Sequence, residues 1–142
     1  MIQIRRSALV MQTAERMFDL VNDVEAYPRR FGWCAAAAIL ARDEMSMTAR
    51  LDVRVAGLAL GFTTRNTFEP SQRILMNLVD GPFSALVGEW TFAALGEAGC
   101  RIALALDFDY SGLTAPVLRM GFRNLADRMV DDFVREARRD GG

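Results

Sequence analysis

The 142-residue sequence contains no histidine and no lysine, so every one of its 17 positive side chains is an arginine. Without an imidazole, the chain lacks the usual Ser–His or Cys–His nucleophile pair, the commonest ligand of zinc and iron, and a ready general base near neutral pH. Catalysis would have to rest on carboxylates, and these do not cluster along the sequence. We therefore expect a protein that is not an enzyme, with no catalytic residue, no metal site and no cofactor of its own.

Signals for export or membrane insertion are also missing. The opening stretch MIQIRRSALV has no apolar core of signal-peptide length, and no uncharged apolar run reaches the roughly 18 residues of a membrane span. Cys34 and Cys100 lie far apart without CxxC spacing, which favours free buried thiols over a disulfide or a metal site. These absences predict a cytoplasmic protein.

The composition predicts one ordinary globular domain over residues 1–142. Apolar residues make up 51% and charged residues 25% of a chain that is long enough for one full core and too short for two comfortable ones. The net charge of −1 gives no overall field that would favour nucleic acid or an anionic membrane, and we expect no binding to DNA.

Helical periodicity occurs near both ends of the chain. After a first strand over residues 2–10, Thr13 is a candidate N-cap of a helix whose apolar stripe begins at Met17. We expect a second short helical turn that begins at Val24 and is interrupted by Pro28. A final helix, roughly 35 Å long, is predicted within residues 114–139.

Between these helices the period changes to two. The clearest segment is CRIALALDFDY, in which apolar and polar residues alternate as in a half-buried antiparallel strand. With the first strand, we count about seven strands joined by turns of hairpin length. A strand, two short helices, six strands and a long helix predict an α+β fold with helices on one face of an antiparallel sheet.

One stretch, DGPFSALVGEW, does not fit a strand with one wet and one dry face. Its Asp-Gly-Pro start predicts a turn, yet Phe83 and Val87 are apolar on one parity, and Leu86 and Trp90 on the other. A bulge at Gly88 would bend the strand and turn Leu86 and Trp90 inward together. We interpret the stretch as a wall of an enclosed space; the alternative is that Phe83 or Val87 is simply exposed.

Three stretches together resemble the coenzyme Q-binding START-like family: MFDLVNDVEAYPRRFGWC (17–34), DGPFSALVGEWTF (80–92) and RMVDDFVREAR (128–138). FTTRNTF and GCRIALALDFDY are similar to its intervening strands, so the resemblance covers nearly the whole chain. One departure is Gly32, where the family usually has a second proline before its Trp–Cys pair, and this predicts a more flexible loop.

The resemblance implies a helix-grip fold, START- and pollen-allergen-like, in which a curved seven-stranded antiparallel sheet surrounds a long C-terminal helix and an elongated apolar cavity. One branch of the family binds a polyprenyl quinone in support of respiration or quinone biosynthesis. A bacterial branch consists of ribosome association toxins, described as binding the large ribosomal subunit and blocking its joining to the small one. The wider superfamily includes aromatic polyketide cyclases.

Our main hypothesis from the sequence is a carrier of ubiquinone or a similar prenylated lipid, with transient contact to the inner membrane. The candidate cavity walls are mostly aromatic: Phe31, Trp33, Phe62, Phe83, Leu86, Trp90, Phe108, Phe122, Met129 and Phe133. Tyr27 and Tyr110 are candidates for a polar rim that would hydrogen-bond a quinone carbonyl. For each residue taken alone, a plain core or half-buried position is the alternative.

Ribosome binding is the second hypothesis, and it requires an electropositive patch that contacts phosphates. The candidate arginines lie near the chain ends and in the helix–loop stretch: Arg5, Arg6, Arg29, Arg30, Arg135, Arg138 and Arg139. Acidic residues intersperse the same terminal helix, which is also typical of an ordinary solvated face. A cyclase-like enzyme is the third hypothesis, although it needs an acid or base in the pocket that the sequence does not provide.

Overall fold

The computed structural model describes residues 1–139. Its seven strands form one antiparallel sheet: β1 (Ile2–Val10), β2 (Cys34–Arg42), β3 (Ser46–Val55), β4 (Leu58–Glu69), β5 (Arg73–Asp80), β6 (Phe83–Leu95) and β7 (Gly99–Tyr110). The helices are α1 (Ala14–Asn22), α2 (Tyr27–Arg30) and α3 (Pro116–Arg139), with one 3₁₀ turn, Val24–Ala26, before α2. The predicted α+β helix-grip architecture is confirmed. No helix within residues 1–139 has both the length and the apolarity to cross a bilayer.

The sheet is a chain of hairpins that curves around α3. Strands β2 to β7 each pair with their neighbours in sequence, and β1 adds to the free side of β7, so β1 and β2 are the two edges. The pairing register slips by one residue in the β2–β3, β4–β5 and β6–β7 pairs. Such bulges bend a strand and increase its twist, which allows the sheet to wrap around the helix.

The bulge in β6 explains the two apolar faces of DGPFSALVGEW. The register shift lies between Phe83 and Ala85, so Phe83 opposes Tyr110 while Leu86 opposes Phe108. Phe83 and Leu86 therefore both face the interior, and Val87 points outward with 43% of its surface exposed. The predicted bulge at Gly88 is wrong, because Gly88 pairs regularly with Met76 and Leu106.

The short helices follow β1 much as the sequence predicts. The Thr13 side chain accepts a hydrogen bond of 3.1 Å from the Arg16 backbone nitrogen and caps α1. We expected Pro28 to interrupt the second helical segment, but it occupies the first turn of α2. Proline is tolerated there because the first turn has no intrahelical partner for its missing N–H group.

Helix α3 lies against β1, β3 and β7 and buries one face along its length. Phe122, Val130 and Phe133 on this face are at most 3% exposed. A close approach to β3 depends on Gly121, where an added Cβ would lie 2.5 Å from Cγ1 of Val55. At about 1.5 Å per residue, the 24 residues of α3 extend roughly 36 Å and cross the sheet.

Candidate functional site

An apolar cavity of about 80 Å³ lies between α3 and the concave face of the sheet. Six of the residues predicted from the sequence line it: Tyr27, Phe62, Leu86, Trp90, Phe122 and Met129. Aliphatic side chains from β3, β5, β7 and α3 complete the wall, including Val53, Ile74, Leu104 and Leu125. About half of the wall residues predicted from the sequence therefore line the cavity.

The other predicted wall residues lie in the core beside the cavity. Phe31, Trp33 and Phe133 form one aromatic cluster, in which Phe31 and Trp33 stack with ring centroids 4.9 Å apart. Phe83 and Phe108 form a second cluster around Phe122. None of these five outlying residues lines the cavity. Their contribution is the packing of large aromatic surfaces, which stabilises the fold.

The two tyrosines that the sequence suggested as a polar rim occupy different environments. Tyr27 is 6% exposed, and its hydroxyl donates a hydrogen bond to the backbone oxygen of Val21. Burial raises the pKa of Tyr27 far above its usual value, so the phenol stays protonated. Its placement at a rim is wrong. Tyr110 is half-buried outside the cavity, and its hydroxyl donates a hydrogen bond to the backbone oxygen of Arg119 at 2.5 Å.

Three polar residues of the cavity wall, Asn22, Thr64 and Asn66, escaped the sequence reasoning. Thr64 and Asn66 are each 7% exposed, and the Thr64 hydroxyl donates a hydrogen bond of 2.8 Å to Oδ1 of Asn66. The signal was present in the sequence. Leu60 and Phe62 indicate which alternate positions of β4 face inward, and Thr64 and Asn66 are polar residues at the next two such positions. They give an otherwise apolar cavity hydrogen-bonding groups that could meet a carbonyl or hydroxyl of a guest.

Gly88 contributes to the hollow by its lack of a side chain. A Cβ at this position would lie 2.5 Å from Cε of Met76 and 3.0 Å from Cδ1 of Leu106, both of which are cavity residues. Glycine on the inward face of β6 therefore leaves room for the Met76 and Leu106 side chains, which any larger residue would push aside.

The cavity lining is poor in ionisable groups. Within residues 1–139, the lining includes no carboxylate or thiol, and the Tyr27 phenol is its one ionisable group. The same part of the chain contains no cluster of three or more acidic or cysteine side chains that could hold a metal ion. Cys34 and Cys100 are buried and free, and burial raises the pKa of both thiols. The expectation that the protein is not an enzyme stays a prediction.

The seven arginines that the sequence suggested as a phosphate-binding patch are mostly neutralised. Five of them form ion pairs with carboxylates at 2.8–3.5 Å: Arg5, Arg6, Arg30, Arg135 and Arg139. Arg29 and Arg138 have no ion pair within residues 1–139. Because paired charges largely cancel at a distance, these seven residues do not form the predicted electropositive patch.

Comparison with known proteins identifies the family of the chain. Residues 10–134 match the family of polyketide cyclases/dehydrases and lipid transport proteins. The chain belongs to this family. It is 46% identical over 136 residues to the ribosome association toxin RatA of Pseudomonas aeruginosa, covering 95% of this chain and 94% of the relative. It is 45% identical over 139 residues to the ribosome association toxin RatA of Escherichia coli K12, covering 97% of this chain and 88% of the relative.

Solved structures of other proteins share the fold. The Zhui aromatase/cyclase of Streptomyces sp. R1128 superposes with a TM-score of 0.85 at 20% identity, over 97% of this chain and 94% of that one. A START superfamily protein from Mycobacterium smegmatis gives a TM-score of 0.80 at 21% identity, over 96% of this chain and 97% of that one. At these identities, the superpositions carry the fold and not the activity.

Proposed function

We propose that this chain associates with the ribosome, by binding the large subunit and hindering its joining to the small one. The observation that carries the proposal is the 46% identity, over nearly the full length of both chains, to a ribosome association toxin. This function replaces quinone transport, our main hypothesis from the sequence, as the hypothesis with the better support. Ribosome association would also place the protein in the cytoplasm.

The size of the cavity supports a function at the surface. Its volume is about 80 Å³. An engineered apolar cavity of about 150 Å³ is known to accept benzene. A quinone ring with even one prenyl unit is larger than benzene, so the cavity would have to widen before it could hold such a guest. Binding to a macromolecule through exposed residues requires no such rearrangement.

Sedimentation of ribosomes through a sucrose gradient tests the proposal. Purified protein added to a bacterial lysate should increase free subunits at the expense of joined ribosomes, in proportion to the amount added. The protein should also migrate with the large-subunit peak. Heat-unfolded protein provides the control for nonspecific aggregation. Profiles that do not change at any protein concentration would contradict the proposal.

A hydrophobic ligand in the cavity is the second candidate, favoured by the apolar lining and the Thr64–Asn66 pair. Ubiquinone or another prenylated lipid is the specific guest that the resemblance suggests, and its delivery would involve transient membrane contact. Organic extraction of the purified protein, followed by mass spectrometry, tests this candidate. Absence of any prenylated lipid, together with no uptake of added quinone, would remove it.

Two substitutions on β6 separate the two candidates. Gly88→Leu displaces the cavity residues Met76 and Leu106, whereas Val87→Leu enlarges the neighbouring outward-facing residue. If the cavity serves the function, Gly88→Leu alone should abolish lipid uptake. If ribosome association is a surface property, both variants should retain it, provided that their unfolding midpoints show that they fold.

A further inference from the structure

A groove outside the cavity runs between the start of α3 and the adjoining ends of β1, β6 and β7. Its volume is about 790 Å³, and it is lined by polar, charged and a few apolar side chains, among them Ser84, Tyr110, Met120 and Arg123. A second groove of about 360 Å³ continues along β1. Arg123 and Asn124 line both grooves, so the two form one channel along this side of the molecule.

Two arginines in the groove have no carboxylate partner within residues 1–139. Arg119 donates from Nε to the backbone oxygen of Leu113 at 2.6 Å, and its guanidinium carbon lies 5.2 Å from the ring centroid of Tyr110. Arg123, one helical turn further along α3, is exposed and forms no ion pair or hydrogen bond in the described part of the chain. Burial raises the pKa of Tyr110, while the charges of Arg119 and Arg123 act in the opposite direction. Both guanidinium groups are therefore close enough to influence the phenol oxygen.

The acidic residues at the groove are already compensated by other partners. Asp109 lies 3.5 Å from the amino group of Met1, and Asp127 lies 3.3 Å from Arg6. Residues 111–126, which lead into α3 and form its first turns, contain no acidic residue. The groove also lies at the N-terminal end of a long helix, where the peptide dipoles add positive potential. It is thus electropositive in a chain whose net charge is −1.

We propose that this groove binds phosphodiester groups of ribosomal RNA, with Arg123 and the free edge of the Arg119 guanidinium as the phosphate contacts. This inference rests on the proposed function. A planar guanidinium suits bidentate binding of phosphate oxygens, and an unpaired one contributes without first breaking a salt bridge. Asn124 and Ser84 add neutral hydrogen-bonding groups to the channel. The Arg119 guanidinium, which lies over the Tyr110 ring, is a group of the kind against which unpaired RNA bases stack.

Charge reversal at Arg123 provides the test, because this side chain has no partner within residues 1–139 whose loss would unfold the protein. Wild type, Arg123→Glu, Arg42→Glu and Arg138→Glu are compared for cosedimentation with purified large subunits over a range of salt concentrations. Arg42 and Arg138 are exposed arginines on other surfaces, without an ion pair to any described residue, so each control carries the same change in charge. Arg138 also represents the arginines near the chain ends that the sequence first suggested.

Arg123→Glu should weaken the association about tenfold and reduce the slope of log affinity against log salt by about one. Both controls should remain within about twofold of wild type. Equal affinity of all three variants, with wild type still bound, would overturn the assignment of the groove as the RNA-binding site while leaving the proposed function intact. A selective loss in Arg138→Glu would overturn it in favour of the other end of α3. If wild type itself fails to sediment with the subunits, the proposed function fails and this inference falls with it.

Discussion

The two halves of α3 contain similar residues but arrange their charges differently. From residue 127 to residue 139, four arginines alternate with four acidic residues, and Arg135 and Arg139 pair with acids on the same helix. From residue 116 to residue 126, two arginines occur without any acidic residue. The C-terminal half is close to neutral although it has more arginines, and the N-terminal half carries a positive field.

The balance of arginines and acidic residues in each half, and not the number of arginines, therefore makes the N-terminal half positive and the C-terminal half nearly neutral. The two halves of α3 also differ in what their side chains contact. The C-terminal half carries Phe133 into the aromatic cluster with Tyr27 and Phe31, and Glu136 pairs with Arg30 of α2. The N-terminal half exposes Val117 and Met120 beside its two arginines. We expect substitutions in the C-terminal half to change stability and those on the exposed face of the N-terminal half to change binding.

The largest expected effect is that of Phe133→Ala. Phe133 is fully buried and contacts Tyr27, Phe31 and Trp90, so its truncation should leave a cavity and lower the free energy of unfolding by about 3–5 kcal/mol. Met120→Ala is the matched control in the other half. Because Met120 is 65% exposed, its loss should cost no more than about 0.5 kcal/mol. Urea denaturation monitored by tryptophan fluorescence measures both, and similar losses would break the assignment of stability to the C-terminal half.

The next effect concerns Glu136, whose side chain is 12% exposed and lies 3.3 Å from Nη1 of Arg30, itself 15% exposed. Glu136→Gln removes the charge from a largely buried pair, and we expect it to cost about 1–3 kcal/mol. Arg139→Gln removes only the exposed second partner of Glu136, at 3.5 Å, and should cost less than about 1 kcal/mol. Chemical denaturation of the two variants side by side measures the difference. A larger loss in Arg139→Gln would show that burial does not govern these pairs.

Much of the fold follows from the sequence because the interior face of the strands is mostly apolar. The apolar residues that alternate in CRIALALDFDY face inward in the structure, where Ile102, Leu104 and Phe108 are all buried. The β6 bulge could not be placed in this way, because a bulge depends on how two strands pair. Ser84 supplies the extra residue although Gly88 is the more permissive one.

The candidate site was less predictable for two physical reasons. A cavity is what large side chains leave unfilled, so Phe31 and Phe108 cannot be separated from Phe62 or Trp90 by residue type alone. Neutralisation of charge depends on distant partners: Arg6 pairs with Asp131, which is 125 positions away in the sequence. The polar interruption at Thr64 and Asn66 was readable in principle, because the sequence of β4 already places polar side chains among its inward-facing residues.

The tyrosines extend the comparison to alkaline pH. Since the raised pKa of Tyr27 means that the folded state keeps a proton that the unfolded state loses above about pH 10, its stabilising contribution is complete below that pH and declines above it. The decline approaches about 1.4 kcal/mol per pH unit for one group. Tyr27→Phe should flatten this part of the stability profile, measured by urea denaturation between about pH 8 and pH 11, a range that includes the ordinary pKa of a tyrosine side chain.

The two cysteines and the second tyrosine provide the controls for that profile. Cys34 and Cys100 also have raised pKa values, so a decline that begins near their usual value of 9.0 should persist in Tyr27→Phe. Tyr110→Phe, near the start of α3, should flatten the profile less than Tyr27→Phe does, because the Tyr110 ring is only half-buried and two arginines offset its shift. Identical profiles for the two tyrosine variants would contradict the difference in burial.

The smallest expected effect is that of Asp131→Asn, which tests whether the C-terminal half of α3 takes any part in binding. Arg6 lies 3.0 Å from Asp131 but also 3.3 Å from Asp127, and both carboxylates are about half exposed. The variant should therefore lose less than about 1 kcal/mol of stability. Its cosedimentation with large subunits should change by less than about twofold, since Arg6 keeps Asp127 as a partner and a single exposed charge is largely screened by salt. A gain as large as the loss in Arg123→Glu would mean that RNA contacts the C-terminal half, and that charge pairing alone keeps that contact weak.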